Sequence, residues 1–157
     1  MRLYIENYFL SLYYKMSVCV RKINDLKMGA KGELLVKDII ENELNMKLYH
    51  TGDKYSLFDL ENNEENVIVE IKTRRYSKWA LPSFFFPAHK LKYKAENNPQ
   101  IYICFNLTDG VYLFDYTKDK EVCKILKNRM CRKDRGRYEY STMIDCPTTH
   151  FKLLHKK

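Results

Sequence analysis

The stretch Val67-Ile68-Val69-Glu70-Ile71-Lys72 decides the fold. Its β-branched residues, interrupted by one charge and closed by another, are typical of a β-strand. Successive side chains of a strand alternate between two faces, so Glu70 and Lys72 share one face while Val67 and Val69 share the other. We therefore expect a strand with one buried face and one face that carries chemistry.

The residues upstream predict the partner of this strand. Residues 55–60 alternate in the same way, and the polar residues 61–66 are typical of a turn. If Leu60 packs on the apolar face of the hairpin, Asp59 must lie beside Glu70, because a shift of one residue turns every side chain over. Neighbouring carboxylates repel unless a cation lies between them, and their oxygens suit a hard ion such as Mg²⁺.

The pattern formed by Asp59, Glu70 and Lys72 resembles the PD-(D/E)xK nuclease superfamily, which includes restriction enzymes, Holliday-junction resolvases and viral and phage exonucleases. The resemblance covers about residues 28–116, and it departs from the motif at Phe58, where the motif's name has proline. It implies a restriction-endonuclease-like α/β core, in which a central mixed β-sheet is flanked by helices.

The resemblance also implies an activity and a set of roles. The expected function is Mg²⁺-dependent (or Mn²⁺-dependent) hydrolysis of phosphodiester bonds, by a DNA endonuclease that acts on structured or non-specific DNA. By this resemblance Asp59 and Glu70 hold the metal, and the carbonyl of Ile71 adds a ligand. Lys72 orients or activates the attacking water. Glu33, on the preceding helix, completes the catalytic and metal-binding set by positioning a metal-bound water.

A helical pattern at residues 28–44 places Glu33 within a broad apolar face. A carboxylate is rarely buried without a partner, because removing its charge from water is costly. Glu33 is therefore interpreted either as one half of a salt bridge or as a group aimed at the sheet face of Asp59 and Glu70. The adjacent Gly32 weakens a helix by about 1 kcal/mol relative to Ala, which favours close approach of a backbone or ligand there.

The charge of the chain favours a polyanionic partner. Lys and Arg number 28 against 20 Asp and Glu, a net charge of +8, and most of this excess lies beyond residue 120. Nucleic acid is the first expected partner and an anionic membrane surface the second, although a basic tail can also serve solubility alone. The resemblance to the nuclease superfamily favours DNA over RNA. The candidate nucleic-acid contacts are Arg74, Arg75, Lys78, Trp79, Lys90, Lys94, Arg132, Lys133, Arg135 and Arg137. Trp79 and the nearby Tyr76 either stack on bases or anchor their loop.

The other predicted elements follow from local pattern. The Phe-rich residues 82–87 predict a plug in the core, and a helix is expected from Pro87 to just before Pro99. Strands are predicted at 47–50, 101–106 and 111–116, the last two joined by a turn with Asp109-Gly110. Residues 128–137 are expected to be a basic loop between short strands at 121–126 and 138–144. His89 is a candidate proton carrier or a structural histidine.

The whole chain, residues 1–157, is expected to be one nuclease-like domain with its core at 28–116 and a basic C-terminal extension at 117–157. A helix is predicted at residues 3–20, where aromatic side chains favour either packing on the same domain or a homodimer contact. The apolar run at 8–14 is too short to span a bilayer and lacks a cleavage site, so neither secretion nor membrane insertion is expected.

The cysteines indicate a reducing compartment. Five cysteines without the dense spacing of a disulfide scaffold are interpreted as reduced thiols of an intracellular protein. A zinc site formed by Cys123, Cys131, Cys146 and His150 is an alternative without support from a CxxC pair.

Two other classes of function remain open on the sequence. One is a catalytically inactive nucleic-acid-binding protein with a nuclease-like fold, in which Glu70 and Lys72 form an exposed ion pair. The other is a protein-interaction module that uses the aromatic N-terminal segment.

Overall fold

The computed structural model describes residues 24, 27, 29, 31–51, 58–92, 98–134 and 137–157, with backbone only at residues 92, 130–134 and 137–139. The helix predicted at 3–20 lies outside these residues, as do Lys94 and Arg135. The homodimer contact proposed for the N-terminal segment lies outside them as well.

A mixed sheet of six strands forms the centre of the molecule. Its strands are β1 (Tyr49–His50), β2 (Leu60–Asn62), β3 (Val67–Thr73), β5 (Gln100–Asn106), β6 (Gly110–Asp115) and β9 (Lys152–Lys156). Their order across the sheet is β1-β2-β3-β5-β6-β9, and only the β3–β5 pair is parallel. The predicted mixed α/β class and the predicted strands β3, β5 and β6 are therefore confirmed. The prediction of a turn from residue 61 is wrong at its start, because β2 includes Glu61 and Asn62.

A second sheet of three antiparallel strands has the order β4-β8-β7. These strands are β4 (Ser83–Pro87), β7 (Lys124–Asp134) and β8 (Arg137–Pro147). The predicted core plug at 82–87 is confirmed, because Phe84 and Phe86 are buried, and it is formed by strand β4. The prediction of a basic loop at 128–137 is wrong, because these residues belong largely to a long β7–β8 hairpin. The region beyond residue 116 thus supplies two strands to the second sheet and the edge strand β9 to the first.

Three helices complete the described structure. Helix α1 covers residues 31–44, α2 is His89–Lys92 and α3 is Tyr116–Asp119. Single 3₁₀ turns are present at Lys78–Ala80, Lys120–Val122 and Thr148–His150. Within the residues described, no helix combines the length and apolar character that crossing a bilayer requires.

The two faces of the six-stranded sheet are covered by different layers. On one face, Val36 and Ile40 of α1 pack against Val69 and Ile71 of β3. The other face packs against the second sheet through an aromatic cluster. That cluster includes Phe84, Phe86, Phe105, Phe114 and Phe151, in which Phe105 and Phe151 stack at 4.6 Å between ring centres. The sheet is therefore a middle layer, and Glu70, near its centre, is enclosed.

Candidate active site

The β2–β3 hairpin brings Asp59 and Glu70 together. Leu60 pairs with Val69 across the hairpin, as the alternation predicted, so the preceding Asp59 lies on the side of Glu70. The backbone N–H of Asp59 donates to the carbonyl of Val69 at 3.1 Å, and its Oδ2 accepts from the N–H of Ile71 at 2.6 Å. Asp59 is thus fixed beside the strand that carries Glu70, and the predicted register is confirmed.

The environment of Asp59 disfavours its charge. The pKa of this carboxyl is raised to about 6, mainly by burial and secondly by the neighbouring charge of Glu70. The hydrogen bond from the N–H of Ile71 opposes this shift. Lys72 also opposes it, and Glu33 adds a smaller repulsion. A carboxyl with a pKa about 6 exchanges a proton close to neutral pH, which is a property of groups at catalytic or cation-binding sites.

Glu70 is completely buried, although its face of the strand was expected to be open. Two lysines neutralise it. The Nζ atom of Lys72 contacts Oε1, and the Nζ atom of Lys90 lies 2.5 Å from Oε1 and 2.6 Å from Oε2. Both lysines are themselves largely buried, which makes this a paired charge cluster inside the protein rather than a surface ion pair.

Lys90 is the site residue whose position the sequence did not reveal. Lys90 was predicted to contact nucleic acid, whereas in the structure its side chain extends from α2 and its ammonium group donates to both carboxylate oxygens of Glu70. The two residues lie twenty positions apart, on elements joined only through tertiary packing. No local pattern links them, and the only signal in the sequence was a lysine on the helix predicted to follow β3 along the chain.

Glu33 approaches the site from the end of β3. Helix α1 packs on the Val69 face of the sheet, opposite to Glu70, so Glu33 does not point directly at the face that carries Glu70. It lines a groove at the end of the strand, and its charge acts on Asp59. Gly32 explains the close packing there, because a Cβ atom at this position would collide with the hydroxyl of Thr73.

The groove has a volume of about 540 Å³ and opens where β3 ends. Its lining comprises Gly29, Glu33, Ile71, Lys72, Thr73, Arg74, Arg75 and Tyr76. Acidic and basic groups therefore face the same space. Arg74 and Arg75 are exposed at its rim, as a contact with phosphate groups would require.

The other predicted nucleic-acid contacts are distributed unevenly. The backbone N–H of Lys78 donates to the carboxylate of Asp109, and its Nζ atom lies 5.0 Å from the ring centre of Trp79 and 5.5 Å from that of Tyr112. Trp79 is 81% exposed, so anchoring of the loop does not account for its ring. Arg132, Lys133 and Arg137 lie on the β7–β8 hairpin, where only the backbone is described.

The two carboxylates fit the requirements of Mg²⁺ in number. This ion is commonly held by one or two carboxylates, with water and substrate phosphate completing its shell. In the described part of the chain no group of three or more His, Cys, Asp or Glu side chains is placed to share an ion. Asp59 and Glu70 could supply two of the ligands, provided that an ammonium group moves away from Glu70.

The residues of the alternative zinc site are arranged differently. Cys123 and Cys146 are hydrogen-bonded neighbours, and Cys123 also donates to the carbonyl of Asp119 at 3.7 Å. His150 lies 3.7 Å from Asp119. Cys123, Cys146 and His150 do not form a group that could hold a metal ion in the described part of the chain. The side chain of Cys131 is not described. His89, the candidate proton carrier, is exposed at the start of α2.

Comparisons of the chain with protein-family models, with curated proteins and with solved structures found no match. The fold and site define a mixed α/β protein that encloses a cluster of two carboxylates and two lysines.

Proposed function

We propose that this protein is a Mg²⁺-dependent nuclease, a DNA endonuclease of the PD-(D/E)xK type. The observation that carries the proposal is the position of Asp59 beside Glu70, with Lys72 two residues further along the same strand and directed at the same carboxylate. Such a set combines a cation-binding pair with an ammonium group at the mouth of a basic groove. This is the chemistry that phosphodiester hydrolysis requires.

Each residue of the site contributes a separate physical effect. Asp59 and Glu70 would hold the ion, and a bound Mg²⁺ supplies positive charge that activates water and neutralises the phosphate. Asp59, with its pKa about 6, can exchange a proton with water near neutral pH. Lys72 offers its ammonium group to a phosphate oxygen once it leaves Glu70, while Lys90 continues to neutralise that carboxylate.

The groove supplies the binding surface for the substrate. Arg74 and Arg75 stand beside Lys72 in its lining, so a phosphate that approaches Lys72 meets them as well. Contacts of this kind fix the backbone without reading sequence. They support cleavage that depends on the shape of the nucleic acid more than on its sequence.

A cleavage assay tests the proposal. Purified protein is incubated with duplex, branched and single-stranded DNA, and with RNA, in Mg²⁺, Mn²⁺ or EDTA. We expect cleavage only with a divalent ion, and a loss of about 100-fold or more in Lys72→Ala and Asp59→Asn, because each removes a charge from the reacting centre. Lys127→Ala, an exposed lysine on β7, is the matched control and should cleave at nearly the normal rate.

A catalytically inactive nucleic-acid-binding protein is the second candidate. It is favoured by one observation, that both carboxylate oxygens of Glu70 are already engaged by lysines. In that case Lys72→Ala and Asp59→Asn should leave salt-sensitive DNA binding intact, and no divalent ion should produce cleavage. Cleavage that persists equally in both variants would instead indicate a contaminating enzyme.

A further inference from the structure

A second cavity of about 310 Å³ adjoins the groove of the candidate active site. Its lining includes Arg74, Tyr76, Leu81, Phe85, Arg129 and Met143. Arg74 and Tyr76 belong to the lining of both spaces, so a strand of nucleic acid can pass from one to the other without leaving the surface.

The cavity is built on the outer face of the second sheet. Phe86 points inward and is fully buried, so the neighbouring Phe85 points outward, where it is half-buried. Arg129 extends from β7 over the same face, and its guanidinium carbon lies 5.3 Å from the centre of the Phe85 ring. A planar cation therefore covers a planar ring at the edge of an open cavity.

This combination suits a nucleobase better than a buried structural contact. Unpaired bases stack on aromatic rings and on guanidinium planes, and each stacked base is worth about 1 to 3 kcal/mol. Leu81 and Met143 supply apolar walls, whereas Arg74 and Arg129 supply charge for a phosphate. The volume of the cavity, about 310 Å³, is of the size of one nucleotide.

We propose that this cavity binds one unpaired nucleotide of the substrate strand, next to the phosphate held in the groove. The inference rests on the proposed nuclease function and narrows its substrate class to nucleic acid with an unpaired nucleotide beside the cleavage point. Phe85 and Arg129 determine this preference, while the groove residues hold the backbone of any nucleic acid.

Binding without cleavage tests the inference. The affinities of a blunt DNA duplex and of the same duplex with a short single-stranded overhang are measured by fluorescence anisotropy in EDTA. The unaltered protein should bind the overhang at least about fivefold more tightly, as expected for one stacked base. Arg129→Lys keeps the positive charge but removes the planar guanidinium group that stacks. It should therefore reduce the preference for the overhang to about twofold or less and leave the affinity for the blunt duplex unchanged.

Two variants separate stacking from charge. Lys127→Ala, an exposed lysine on the same strand, is the control and should leave the affinities of both DNAs nearly unchanged. Phe85→Leu should act like Arg129→Lys. Equal binding of the two DNAs by the unaltered protein, or a preference that survives Arg129→Lys, overturns the inference.

The same two DNAs, incubated with Mg²⁺, distinguish the two proposals. Cleavage of both at equal rates and with equal binding leaves the nuclease proposal standing and removes the cavity proposal. A clear overhang preference without any cleavage would keep the proposed nucleotide site in the cavity and remove the nuclease proposal.

Discussion

Replacing Asp59 with Asn should stabilise the protein at neutral pH even though it removes a proposed metal ligand. The Asp59 carboxylate is partly buried next to Glu70, and this environment raises its pKa from 3.8 to about 6. Asn has nearly the same shape and keeps an oxygen that can accept from the N–H of Ile71. It carries no charge for the site to disfavour.

The size and sign of the effect follow from the pKa difference. Below pH 3.8 the carboxyl is protonated in both folded and unfolded chains, so it contributes no difference. Between pH 3.8 and about 6 the unfolded chain has lost this proton while the folded chain still holds it, so the folded state loses stability as the pH rises through this window, and the loss is complete above about pH 6. At 1.36 kcal/mol per pH unit, and reduced for partial exposure, the cost above pH 7 is about 2 to 3 kcal/mol. Asp59→Asn should remove that cost.

The measurement is urea or thermal unfolding of both proteins in EDTA across a series of pH values. Near pH 4 the two proteins should have nearly equal stability. At pH 7.5 Asp59→Asn should unfold about 5 to 10 °C higher, since 1 kcal/mol corresponds to about 2 to 4 °C in a chain of this size. An equal stability difference at both pH values, or a less stable variant at pH 7.5, would refute the reasoning that Asp59 is held in an unfavourable ionised state.

Three further predictions concern the same region. Removing divalent ions with EDTA at pH 7.5 should lower the melting temperature of the unaltered protein but not of Asp59→Asn; an equal response would argue against an ion at this carboxylate. Lys90→Ala should cost about 1 to 3 kcal/mol in urea unfolding, because the buried Glu70 keeps only one ammonium partner; unchanged stability would contradict that pairing. Gly32→Ala should cost about 1 to 3 kcal/mol despite its better helix propensity, and adding Thr73→Ala should restore part of the loss; a neutral single variant would show that no close contact exists there.

Local alternation was enough to predict the centre of the main sheet. The β2–β3 hairpin has a strict period of two, and its register fixes which side Asp59 occupies. The β5–β6 hairpin was marked by Asp109-Gly110, residues suited to a tight turn. These features depend on neighbours in sequence, which is why the sequence sufficed.

The second sheet could not be predicted in the same way. Register shifts between Leu126 and Arg129, and again between Met130 and Arg132, interrupt the alternation of β7. A charged segment with a broken period resembles a loop. Residues 82–87 were equally ambiguous, because a run of three phenylalanines lacks the alternation that would tell buried positions from exposed ones. The outward position of Phe85 depends on the pairing of β4 with β8, which lies far along the chain.

The candidate site was predictable only in part for the same physical reason. The sequence placed Asp59 and Glu70 together because one hairpin holds both. It did not reveal that Lys90 completes the neutralisation of Glu70, since that contact depends on the packing of α2. It also led to the expectation of an open chemical face, whereas the second sheet and α2 enclose Glu70.

The contact between Glu70 and Lys90 has a consequence for the order of folding. Glu70 belongs to the six-stranded sheet, whereas α2 is tied to the second sheet by β4 and by the bond from the N–H of Ala88 to the carbonyl of Thr142, 2.9 Å long. A refolding intermediate with only the larger sheet formed would leave Glu70 hydrated and without this lysine. The ion pair between Glu70 and Lys90 should therefore form late in refolding, after the β-sheet signal of the larger layer has recovered.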